Sequence, residues 1–210
     1  MSGIELIIVI IIFLFSVVFH EIAHGWVAFA LGDSTAKRAG RLTLNPLKHL
    51  DPIGSVLLPG FLILMKLAGM GGFIFGWAKP VPINPYNFKD QKYGSAKVAV
   101  AGSAANFSLA LIFGLALRFF PIIYSMPGVS LVFLYIVQIN LILAVFNLLP
   151  IPPLDGSHIL FTFLDKKALK LKMFLVQYGF FLLVFLIFFF FQYISLAVVW
   201  LMKLIIGIPL

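Results

Sequence analysis

The sequence predicts an all-α, polytopic membrane protein, and three observations carry that prediction. Of its 210 residues, 62% are hydrophobic and only 10% charged, too little charge for the surface of a soluble domain. The apolar residues gather into runs, several of them long enough to cross a bilayer, which takes about 20 residues in a helix. The basic residues, 15 against 7 acidic ones for a net charge of +8, lie between the runs, where a membrane protein uses them to set its orientation. That charge would suggest nucleic acid in a soluble protein, but no nucleic-acid module accompanies it, so the bilayer is the expected partner. Cysteine is absent, which excludes disulfides and thiolate metal sites. The length suggests a single domain over residues 1–210.

The first span is expected at residues 4–31, Ile4 to Leu31. It has no basic leader and no small-residue cleavage pattern, so it should stay in place as a helix. Lys37, Arg38, Arg41 and Lys48 follow it, which marks its exit as cytoplasmic and its start as outside. Residues 33–52 are polar and turn-rich, with a short strand expected at Thr35 to Leu44. Residues 53–68 are apolar, but the run is short and interrupted by Pro59-Gly60. They fit either a short crossing helix or a segment that dips into the membrane and returns. Residues 76–85, from Gly76-Trp77 to Pro85, are proline-rich and expected to be extended, at an edge or interface.

Residues 97–120 form the next span, opened by the small residues Gly102, Ser103, Ala104 and Ala105, which allow close helix packing. The uncharged connection 121–130 reads as an outside loop. Residues 131–149 return, carrying Gln138, Asn140 and Asn147. After Pro150 to Gly156 comes a third basic cluster, Lys166, Lys167, Lys170 and Lys172. The tail provides a span at 173–192 and room for a further helix at 194–207. The expected architecture is thus a core of three transmembrane helices, a re-entrant or interfacial segment, and one or two C-terminal spans.

The chemistry centres on His20-Glu21-Ile22-Ala23-His24. Residues four apart share one face of a helix, so His20 and His24 can point at one metal ion while Glu21 reaches water beside it. Ionisable groups inside an apolar helix cost roughly 2.5 to 3.5 kcal/mol even on gentle scales, and this cost calls for a functional partner. A catalytic zinc normally takes a third protein ligand. The acidic residues are Glu5, Glu21, Asp33, Asp51, Asp90, Asp155 and Asp165. Asp155, just past an apolar helix and set between Pro153-Leu154 and Gly156, is the leading choice. A helix cap is its alternative role, and His158 is the competing ligand.

Depth favours Asp155 if residues 53–68 turn back. Residues 97–120 then run outward and 131–149 return, bringing Asp155 to the histidine pair. Under this layout only Arg118 and Lys203 of the 15 basic residues lie outside.

Together these motifs resemble the site-2 protease family of intramembrane zinc metalloproteases. The resemblance rests on His20 to Gly25, on Gly76-Trp77-Ala78-Lys79-Pro80, on Ala101-Gly102-Ser103 with Asn106, and on Asn147 to Gly156. It implies that His20, His24 and Asp155 hold one zinc ion per chain and that Glu21 is the catalytic acid/base. Asn147, and with it Asn140, becomes a candidate contact to substrate or oxyanion; interhelical hydrogen bonding is the other role open to Asn140. Ser103 departs from the family, which often has proline there. With no room for a PDZ domain between the motifs, the chain is similar to the compact prokaryotic branch. The resemblance implies a multi-pass protein of the cell membrane that cuts transmembrane protein substrates, with its active site towards the cytoplasm. A metal-binding transporter is the rival from another class.

Overall fold

A computed structural model describes residues 3–69, 79–164 and 168–207. Among the described residues seven α-helices follow one another: α1 Gly3–Ala30, α2 Thr35–Arg38, α3 Leu58–Leu67, α4 Gly94–Phe119, α5 Pro127–Asn147, α6 Asp155–Phe163 and α7 Leu169–Ile206. Four of them, α1, α4, α5 and α7, are long and apolar enough to cross a membrane, and the described residues contain no strand.

α4 is the centre of the bundle, packed against α1, α5, α6 and α7. Its sequence explains why. Gly94, Ala96, Ala99, Gly102, Ser103, Ala110 and Gly114 are all buried along it, and small residues let helix backbones approach closely in lipid, where no hydrophobic force drives helices together. A Cβ on Gly114 would lie 2.5 Å from the Ile205 side chain of α7. Ala110, Leu117, Val137, Leu141, Ile194, Val198, Met202, Ile205 and Ile206 form the core of α4, α5 and α7. Large apolar side chains such as Phe181, Phe188 and Ile112 face outward, as suits a lipid solvent.

The tail is one helix. α7 runs 38 residues without a break, about 57 Å at the rise of an α-helix. Gly179 packs on Pro152 near one end of the bundle, and at the other the Arg118 guanidinium donates to Leu204 O at 3.0 Å. The further helix expected at 194–207 is therefore the last part of the same helix. No proline interrupts the sequence from Leu169 to Ile206, and Gly207, at a φ of 81°, ends the helix.

Thr35 to Leu44 is a correction. Instead of a strand, it begins as the helical turn α2. Asp33 accepts hydrogen bonds from the Thr35 N–H, at 3.1 Å, and from the Thr35 hydroxyl, which winds the backbone. Gly40, at φ 63°, then breaks any extended run.

The π-helical turn Pro52–Leu57 leads into α3, and Asp51 caps it by accepting from the N–H groups of Ile53 and Gly54. After the undescribed residues 70–78, residues 79–93 lie beside the end of α1. Lys89 N–H bonds to Leu31 O at 2.8 Å, and Phe88 and Val98 pack on Ala28. The chain between Leu31 and Lys89 thus leaves and rejoins the same end of the bundle. The stretch Gly76-Trp77-Ala78 lies outside the described residues, as do Asp165, Lys166 and Lys167.

Candidate metal centre

The histidine pair sits in the second half of α1. The wall opposite is Gly102 of α4. A Cβ there would lie 2.5 Å from His20 Cε1 and 2.6 Å from His24 Cε1, so the close approach requires glycine. The third residue arrives from α6. Prolines 150, 152 and 153 prevent α5 from continuing, and the chain reverses through bonds from Ile151 N–H to Leu149 O and from Leu154 N–H to Ile151 O. Ser157 then fastens the new helix, giving both its N–H and its hydroxyl to Leu154 O. Gly156 lies against the carbonyls of Leu148 and Leu149, where any Cβ would collide. Asp155, the first residue of α6, makes no capping bond. Its carboxylate turns to the histidines instead.

Asp155 Oδ2 lies 3.0 Å from His20 Nε2 and 3.1 Å from His24 Nε2, and the two Nε2 atoms are 3.0 Å apart. Among the described residues no other group of three or more His, Cys, Asp or Glu side chains could hold a metal ion. Both outer ring nitrogens are already committed. His24 Nδ1–H donates to Val98 O at 2.7 Å, because a carbonyl can only accept, and His20 Nδ1–H donates to Asn106 Oδ1 at 2.6 Å. With neutral rings, both Nε2 atoms therefore carry bare lone pairs, aimed at each other and at a carboxylate oxygen that is buried without a hydrogen-bond partner. Lone pairs so placed repel unless a cation lies among them. Two imidazoles and one carboxylate, with their far nitrogens hydrogen-bonded, form the donor set of a catalytic zinc site. The residues fit the metal.

The centre opens into a cleft of about 420 Å³, lined in part by Glu21, Val81, Asn147 and His158. Glu21 Oε2 accepts the Val81 N–H at 2.7 Å, and the buried Arg41 steadies that strip of backbone by donating to Lys79 O and Pro80 O. His158 is exposed on the wall of the cleft, outside the cluster of three. Asn147 gives one amide hydrogen to Leu143 O at 3.0 Å. Asn140 does not reach the cleft. It is fully buried, accepts from Asn106 at 2.8 Å and donates to Ser16 Oγ and to Ile136 O, each at 2.9 Å.

Sequence reasoning missed several of these partners. Ser16 lies four residues before His20, hence on the same helical face, which was a usable signal. Asp33, at the start of the polar stretch 33–52, is fully buried. Besides Thr35 it accepts from Asn84 N–H at 2.7 Å and from Asn87 Nδ2 at 2.8 Å. Four hydrogen bonds outweigh burial, which acts the other way, and hold its carboxyl below the usual carboxylate range. Only the Thr35 part of this is local; Asn84 and Asn87 lie 51 and 54 residues away in the sequence.

The profile of Peptidase family M50 matches residues 122–186. The chain is 42% identical over 158 residues to YwhC of Bacillus subtilis, covering 72% of this chain and 66% of that one. It is 34% identical over 179 residues to Rip2 of Mycolicibacterium smegmatis, covering 85% and 65%. Each of these relatives bears the name "putative zinc metalloprotease". The chain spans about two thirds of the length of these curated relatives. No solved structure matches it. With the site and these relatives in agreement, the chain belongs to peptidase family M50, the zinc metalloproteases of site-2 protease type that its motifs resemble.

Proposed function

We propose that this protein is an intramembrane zinc metalloprotease that hydrolyses peptide bonds within or near transmembrane segments of membrane proteins, using one zinc ion per chain. The observation that carries the proposal is the meeting of His20 Nε2, His24 Nε2 and Asp155 Oδ2 in a cleft that Glu21 also lines.

His20, His24 and Asp155 would hold the zinc. When bound, zinc supplies a Lewis acid that polarises a carbonyl and makes water acidic enough to attack near neutral pH. Glu21 takes the proton of the attacking water and passes it to the leaving amine nitrogen. The Val81 N–H bond to Oε2 keeps the carboxylate from swinging away. Asn147 faces the cleft with one amide hydrogen spoken for, and donates the other to the carbonyl oxygen as it gains charge. Asn140, with no opening to the cleft, acts through its neighbours instead.

A helix hides its own amides, so the substrate unwinds before cleavage and lies extended along the non-helical residues 79–84, of which Pro80, Val81 and Ile83 line the cleft. Residues 53–68 form a re-entrant segment. The chain rejoins the end it left, and Lys37, Lys89, Lys92 and Lys97 gather there. The cleft therefore faces the cytoplasm.

Glu21→Gln tests the proposal. In detergent-purified protein with a single-span substrate, cleavage should fall at least about 100-fold, the lower range for loss of a general base, while bound zinc persists. Undiminished cleavage rules the mechanism out. No peptide cleavage by the unaltered chain, with metal bound, points to the transporter.

A further inference from the structure

We propose that Asn106 is a positioning residue: held in one orientation by Asn140 and Ser16, it fixes His20 in the tautomer whose Nε2 is free to bind metal. The proposal rests on the zinc reading of the site and is independent of peptide cleavage.

The argument is a chain of donors and acceptors in a place without water. Asn106 and Asn140 are fully buried, and Ser16 is only 3% exposed. Each polar atom must therefore find its partner inside the bundle. Asn140 comes first. Its Nδ2 has two hydrogens and two acceptors, Ser16 Oγ and Ile136 O, both at 2.9 Å. The Ile136 carbonyl cannot donate, so the amide of Asn140 is turned one way and its Oδ1 is left to accept. That oxygen faces Asn106 Nδ2 at 2.8 Å. Asn106 is settled in the same manner, since its second amide hydrogen goes to the carbonyl of Ser16 at 3.1 Å. Both hydrogens are spent, so Asn106 Oδ1 is the atom that meets His20 Nδ1, at 2.6 Å. An oxygen there demands N–H on Nδ1. In the neutral ring Nε2 is then bare.

His24 needs no such relay, because the Val98 carbonyl reads its Nδ1 directly. The difference lies in the surroundings. His24 faces the first turns of α4, while His20 lies deeper and meets the interior of three helices, α1, α4 and α5. Were Asn106 to flip, its amide would point hydrogens at His20 Nδ1, and the proton would move to Nε2, where it blocks the metal. The relay prevents this. It also tells the two asparagines of α5 apart: Asn147 opens on the cleft, and Asn140 sets the ligand.

The experiment measures zinc affinity by chelator competition on detergent-purified full chains, together with ¹⁵N NMR of the imidazoles in metal-free protein at a pH where the rings are neutral. Asn106→Ala and Asn140→Leu should bind zinc about 10- to 100-fold more weakly than wild type, the usual effect of removing a partner behind a metal-bound histidine. Asn140→Asp keeps an oxygen towards Asn106 and should restore most of the affinity lost in Asn140→Leu. In wild type, His20 should show a single Nδ1–H tautomer, and Asn140→Leu a mixture. Equal zinc affinity in wild type and Asn106→Ala overturns the proposal. So does a wild-type His20 protonated on Nε2, a result that needs no variant to fold. Zinc binding that follows these predictions without any peptide cleavage removes the protease reading alone.

Discussion

At the scale of the residue, the site depends on which atoms have a proton. Asp155 Oδ2 meets two nitrogens and no donor, the geometry on which its proposed role as a cation ligand rests. Asp155→Ala should lose bound zinc in elemental analysis of purified protein, whereas His158→Ala should retain it; loss of zinc in the second variant alone would reassign the third ligand. Asp33 works differently, with a carboxylate stabilised by four hydrogen bonds. Its folded pKa lies below its unfolded value near 4. The stability it contributes is therefore complete above that value and is lost as pH falls through the lower, folded one. Thermal unfolding followed from pH 7 to pH 3 should show wild type losing more stability than Asp33→Asn in the acid range. Parallel losses would mean that Asp33 is not the group responsible.

At the scale of the element, α4 decides how closely the others gather. Gly102 makes room for two imidazoles, and even one methyl group there overpacks the contact, an error that costs about 1 to 3 kcal/mol in a filled interior. Gly102→Ala should weaken zinc binding and lower the melting temperature, while Gly60→Ala, where a Cβ meets nothing, should not weaken zinc binding. The loop between α5 and α6 matters as much. Its prolines were visible in the sequence as breakers, and they told where a helix stops. They did not tell that the chain reverses tightly enough to seat Gly156 on two carbonyls and swing Asp155 onto the histidines. The short strand expected after α1 failed for a related reason. Asp33 and Gly40 set the backbone there, and β-propensity did not.

At the scale of the whole molecule, the histidines of α1, the first half of α4 and the far end of α5 share one end of the bundle, with Arg118 and Leu204 at the other. That alternation of directions, joined to the clustering of lysines at the first end, gives the proposed orientation. The absence of native cysteine makes it easy to check. In intact cells an impermeant maleimide should label Met126→Cys directly and Lys92→Cys only after the membrane is opened. The reverse pattern would place the metal centre on the outer side.

The sequence by itself determined the membrane class, the long helices and the candidate metal ligands His20, His24 and Asp155, because hydrophobic runs and helical spacing are local properties that survive without a fold. Its paired motifs were enough to indicate the family. Only the tertiary structure decided the rest: that Asn140 lies behind His20 and not at the cleft, that Asn106, Ser16, Val81 and Arg41 support the site, and that α7 is a single helix. Hydrogen bonds across 34 to 124 residues depend on which faces meet, and an isolated stretch of chain says nothing of the face it will find opposite.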